Sequence, residues 1–135
     1  MPTKTTLADL KSVIAGGSGD PDRYRHPLFP RFTYSAGARE VAILGQANWL
    51  LEAIFSHLPY IDHEDDYFSV WELKPLPTDD NPHQFELVAH RGTGDEEPPL
   101  RSQTIPYSDF PLSEGVKFYC ASEGDTCFLY LPSEH

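Results

Sequence analysis

The sequence is 135 residues long, with a formal net charge of −11, 39% hydrophobic residues and 13% aromatic residues. That length and apolar content suit one domain with its own core and exclude a disordered chain. The acidity opposes direct contact with nucleic acid or an anionic membrane and favours a basic protein partner or cations.

No stretch approaches the roughly 20 apolar residues of a membrane span, and the N-terminal segment lacks the apolar run of a secretory signal. A cytoplasmic protein is the expectation. Thirteen prolines, roughly twice the usual share of about 5%, predict short elements and many turns. Two cysteines are too few to staple a secreted scaffold.

In chain order, Thr6 caps a first helix in which Leu7, Leu10, Val13 and Ile14 recur at helical spacing, and Gly16-Gly17 ends it. Ser18 to Pro30 reads as a turn-rich connector, and Arg31–Ser35 as a short strand. Ala38 to Leu58 reads as the main helix, because Ile43, Leu44, Ala47, Leu50, Leu51, Ile54 and Phe55 share one arc at 3.6 residues per turn. A second stripe, Ala42, Gly45, Trp49, Ala53 and Ser56, is set to receive the first helix, a second protein or another copy of the chain.

After Pro59 the apolar period changes to two. Candidate strands are Tyr67–Leu73, Gln84–His90, Leu100–Ile105, Val116–Ala121 and Thr126–Leu131, between loops rich in Pro, Gly and Asp. The expected fold is therefore α+β, with two N-terminal helices packed on a single antiparallel sheet of about five strands. It forms a single domain over 1–135, comprising a mildly basic entry segment at 1–40 and the sheet at 60–135.

A two-residue turn at Glu123-Gly124 would pair Val116 with Leu131, Phe118 with Leu129 and Cys120 with Cys127 on one buried face. Lys117 with Tyr130, and Tyr119 with Phe128, would then form an aromatic patch on the other. Opposed cysteines could close a cross-strand disulfide, but two small buried thiols are the simpler expectation in a reducing compartment.

The charge is uneven. Residues 1–40 hold six Lys/Arg against four Asp/Glu, and residues 41–135 hold four against seventeen. The Arg23-Tyr24-Arg25-His26 run is the one locally basic, aromatic stretch, and is better suited to salt bridges with the acidic sheet half than to nucleic acid. His57, Asp62, His63, Glu64, Asp65 and Asp66 form the densest run of potential metal ligands. Their spacing matches neither a helical His-Glu-x-x-His nor an EF-hand, so a solvated acidic loop is the plainer reading and no metal or cofactor is expected. Asp79-Asp80-Asn81-Pro82-His83 reads as a turn. No nucleophile elbow is present, and Gly16-Gly17-Ser18-Gly19 follows a helix where a phosphate loop would open one. No catalytic residue is assigned.

The chain resembles a family of short uncharacterised bacterial and phage proteins, a domain of unknown function found on mobile elements. The resemblance is carried by Tyr24-Arg25-His26-Pro27-Leu28, Phe32-Thr33-Tyr34, Trp49-Leu50-Leu51-Glu52-Ala53-Ile54, Val70-Trp71-Glu72-Leu73, the run from Ile105 to Leu112, and Leu131-Pro132-Ser133-Glu134. It implies no catalytic assignment, and it suggests an accessory protein that inhibits a host component. With the charge, it yields a non-enzymatic interaction domain that meets a basic partner through Asp62, Glu64, Asp65 and Asp66, anchored by Tyr119, Phe128 and Tyr130. The alternative is a small-ligand or metal-dependent enzyme using His57, His63 and nearby carboxylates.

Overall fold

The computed structural model describes residues 4–16, 22–60, 68–91, 99–106, 115–123 and 126–134. Helix α1 (Lys4–Gly16) leads into strands β1 (Arg23–His26) and β2 (Phe29–Ser35), followed by helices α2 (Ala36–Leu44) and α3 (Asn48–His57) and a 3-10 turn at Leu58–Tyr60. Strands β3 (Phe68–Pro75), β4 (Phe85–Arg91), β5 (Arg101–Ile105), β6 (Val116–Glu123) and β7 (Thr126–Tyr130) come next, and a 3-10 turn at Pro132–Glu134 closes the described chain. The seven strands form one sheet in the order β1-β2-β7-β6-β3-β4-β5.

The fold is α+β, but its layout departs from the sequence expectation in three ways. Among the described residues the sheet has seven strands instead of five and is mixed, since β2 runs parallel to β7 while every other pair is antiparallel. The α-helices number three among the described residues and are interleaved with strands, because β1 and β2 precede α2. The third departure is the missing strand β1, whose Arg-Tyr-Arg-His has no apolar alternation; its strand character comes from pairing with β2. Pro30 sits inside β2, where it is tolerated because β7 pairs only along Phe32–Tyr34.

The expected continuous helix over 38–58 is broken at Gly45-Gln46-Ala47. The Gly45 N–H bonds the Val41 and Ile43 carbonyls to cap α2, and Gln46 takes a left-handed φ of 52°. The Ala47 N–H then bonds the Ala42 carbonyl at 2.8 Å, and α3 restarts at Asn48. The break rephases the apolar arc: Leu50, Leu51, Ile54 and Phe55 remain buried, but Ile43 is 51% exposed. The proposed small-residue stripe is likewise divided between two helices, with Ala42 buried on α2 and Ser56 exposed on α3. Helix α1 packs against α2 and the C-terminal 3-10 turn, burying Leu10 completely.

Helices and sheet share one core. Strands β3, β4, β6 and β7 each send alternate residues into it, with Trp71, Leu73, Leu87, Phe118 and Leu129 at 1% exposure or less. Phe55 of α3 is the centre of an aromatic cluster, with ring centroids 5.4 Å from Phe32, 5.8 Å from His26, 6.0 Å from Phe29 and 6.1 Å from Tyr34. His26 is itself buried, and its Nδ1 accepts the Leu28 N–H at 3.1 Å. The ring proton therefore sits on Nε2, which faces Glu52 Oε1 at 3.5 Å. The Leu28–His26 bond ties the tip of the β1–β2 hairpin back onto its own first strand.

The last hairpin keeps the expected faces and shifts its register by two. Glu123 pairs with Thr126, so Cys120 lies opposite Leu129, Cys127 opposite Ser122 and Tyr119 opposite Tyr130. A shift of two preserves parity, which is why Phe118, Cys120, Cys127 and Leu129 still point into the core. The two cysteines are free thiols, diagonal neighbours and not an opposed pair.

Candidate functional site

The face of the sheet turned away from the helices carries the aromatic patch. Period two puts Phe68, Val70 and Glu72 of β3, Lys117, Tyr119, Ala121 and Glu123 of β6, and Phe128 and Tyr130 of β7 on that side. Buried Tyr130 and Val88 lie outside the main core cluster, as expected for residues on the opposite surface.

The rings form a connected row. Phe68 meets Tyr119 edge to face at 5.1 Å, Tyr119 meets Tyr130 at 5.9 Å and nearly perpendicular, and Tyr130 stacks on Phe128 at 5.2 Å. Arg23 of β1 closes the row, with its guanidinium carbon 3.7 Å above the Phe128 ring and Nη1 2.7 Å from Glu123 Oε1. The row thus has a cationic lid at one end, itself neutralised by a carboxylate. Beyond it, the register sets Lys117 opposite Glu72 and Lys74 opposite Glu86, alternating charges that suit cross-strand pairing.

Burial is the main influence on the Tyr130 hydroxyl, which it pushes above the ordinary tyrosine range; the Cys120, Tyr119 and Glu123 groups act in the same direction. On the core face, hydrogen bonding with Cys127, burial and the electrostatic influence of Cys127 hold the Cys120 thiol well above the usual cysteine range, against a smaller opposing effect of Ser69. A thiol so held is a poor nucleophile.

A second polar cluster lies on the helix-covered face at the β5 edge. His57, at the end of α3, accepts the Arg101 Nε–H at Nδ1 (3.2 Å), and its Nε2 lies 2.8 Å from Gln103 Oε1. Its ring packs 5.9 Å from that of Trp71. With Nδ1 accepting, Nε2 carries the proton and donates to Gln103, so both ring nitrogens of His57 are engaged within the protein. That commitment tells against His57 as a metal ligand. Among the described residues, no group of three or more His, Cys, Asp or Glu side chains is placed to hold a metal ion.

Of the residues predicted for partner contact, Tyr119, Phe128 and Tyr130 are brought together on one face. Asp62, Glu64, Asp65 and Asp66, together with His63, lie outside the described residues. Sequence reasoning missed Phe68, and it foresaw for Arg23 the salt bridge to the sheet half that Glu123 provides but not the place over Phe128. Phe68 was accessible to it, since it opens a period-two strand on the same parity as Val70. The stacking of Arg23 on Phe128 was not, because it depends on β1, β2 and β7 being neighbours.

A protein-family model described as "Family of unknown function (DUF6876)" matches residues 8–135. The chain belongs to this family. No curated protein and no solved structure matches it. The DUF6876 match spans every described strand, so the aromatic row, the Arg23 lid and the His57 cluster all fall within it. Among the described residues of this DUF6876 chain, no helix is long and apolar enough to cross a membrane.

Proposed function

We propose that the chain is a non-enzymatic interaction domain that occupies a basic surface of a larger protein. The observation that carries the reading is the row of four aromatic rings on the sheet face away from the helical core, with Phe68, Tyr119 and Phe128 still partly accessible. Rigid aromatic side chains provide contact area at small entropic cost, and interface hot spots are enriched in them. The net charge of residues 41–135, seventeen acidic against four basic side chains, supplies long-range attraction for a cationic partner. In this reading Asp62, Glu64, Asp65 and Asp66 steer, while Tyr119 and Phe128 anchor and the buried Tyr130 holds their rings in place.

The test compares the wild-type chain with two variants in pull-downs from the native host. One carries Tyr119→Ala and Phe128→Ala, and the other carries lysine at positions 62, 64, 65 and 66. The expected result is a stoichiometric basic partner that the aromatic variant loses and the charge variant captures slowly, with a weakened dependence on salt. Retention of the same partner by both variants would overturn the reading.

A further inference from the structure

Arg101 opens β5 on the helix-covered side, at the opposite edge of the sheet from Arg23, and its guanidinium is held from two directions. Its Nε donates to His57 Nδ1 at 3.2 Å, and the Tyr60 ring lies against it with the centroid 5.2 Å from the guanidinium carbon. His57 passes the polarity on by donating from Nε2 to Gln103 Oε1. A directed chain of donors thus runs from Arg101 through His57 to Gln103. It leaves the two Nη groups of Arg101 and the side-chain NH2 of Gln103 without acceptors among the described residues. Arg101 and Gln103 are two residues apart on one strand, so they share a face about 6.7 Å apart along β5.

The contrast with Arg23 is informative. Arg23 is neutralised by Glu123 at 2.7 Å, whereas Arg101 has no carboxylate partner among the described residues and gives its one bound N–H to a neutral imidazole. Among the described residues the Nη fork of Arg101 thus meets no acceptor, and this fork is the edge that meets two oxygens of an oxyanion side by side. The contacts with His57 and Tyr60 have already removed much of the rotamer freedom that binding would otherwise cost.

We propose that Arg101, held by His57 and Tyr60 and assisted by Gln103, is an oxyanion-binding site that takes a carboxylate or phosphate group. The site is separate from the aromatic face and does not depend on it.

Acetate and inorganic phosphate are the probes, added separately to the full chain at constant ionic strength with chloride as the reference. The Gln103 side-chain amide and the Arg101 Nε–H signals are followed by NMR. The expected result is a saturable shift of both signals with acetate, phosphate or both, absent with chloride. A response to acetate alone identifies a carboxylate site, and a response to phosphate alone identifies a phosphate site. Arg101→Gln abolishes the Gln103 shift, and Arg101→Lys, which keeps the charge but not the fork, weakens binding by about tenfold. Gln103→Ala, at an exposed position, weakens binding while the protein stays folded. The proposal is overturned if neither anion gives a saturable response, or if a folded Arg101→Gln protein binds as the wild type does.

Discussion

The hydroxyl of Ser35 donates a 2.6 Å hydrogen bond to the carboxylate of Glu134, a residue 99 positions later. The same hydroxyl accepts the Ala38 N–H at 3.1 Å, making Ser35 the N-cap of α2, and the same carboxylate oxygen accepts the Leu131 N–H at 3.0 Å. A negative charge is thereby placed at the positive end of a helix. The C-terminal Leu-Pro-Ser-Glu acts as a clasp that joins the end of the sheet to the start of α2.

Gly37 lies directly beneath that clasp, where an added Cβ would come within 2.6 Å of Glu134 Oε1. Gly37→Ala should therefore destabilise the protein by about 1–3 kcal/mol, through loss of the Ser35 and Leu131 hydrogen bonds. In a Glu134→Ala background the collision is gone, and the same substitution should be neutral or stabilising by up to about 1 kcal/mol, because alanine is the better helix former. Urea unfolding of the four proteins of this cycle measures both effects. An equal cost of Gly37→Ala in the two backgrounds would remove the clasp from the account.

Gln46 occupies the left-handed region with φ 52° at the joint between α2 and α3. Glycine meets no Cβ penalty there, so Gln46→Gly should raise stability by up to about 1 kcal/mol, against the usual loss when glycine replaces a helical residue. Thermal unfolding reports the sign. A loss comparable to that at an ordinary helical position would show that α2 and α3 are continuous in solution.

Tyr130 gives a pH signature. Because its hydroxyl is raised above the ordinary value chiefly by burial, the folded protein holds this proton more tightly than the unfolded chain does. The stability it contributes is complete below the unfolded value of about 10 and is lost as pH rises through the folded value. Wild-type stability should fall across that alkaline window more steeply than that of Tyr130→Phe. Parallel urea titrations with phenolate absorbance measure it, and identical slopes would contradict the assignment.

The two thiols should be quiet. Cys120 is kept protonated by hydrogen bonding with Cys127 and by burial, and Cys127 is also buried. A small alkylating reagent at neutral pH should label neither cysteine in the native state and both in denaturant, and reductant should leave the mass unchanged. Rapid native labelling of Cys120 would mean that this part of the core opens readily.

Local pattern determined the α+β class, the positions of β3 to β7 within a residue or two at most ends, and the separation of core face from outer face along β6 and β7. These depend on a period of two or 3.6, which is set by backbone geometry and readable in any short window. It also brought Tyr119, Phe128 and Tyr130 to one face, because a register error of two leaves parity intact. Tertiary structure alone decided the rest. The parallel pairing of β2 with β7 recruits β1 and β2 into the sheet, the left-handed turn at Gln46 divides a helix whose apolar arc looked continuous, and Glu134 reaches Ser35. Arg23 over Phe128 and Arg101 against His57 likewise join residues 44 or more positions apart. Such contacts leave no periodic trace in the chain, since their energy comes from groups that become neighbours only after the local elements have formed.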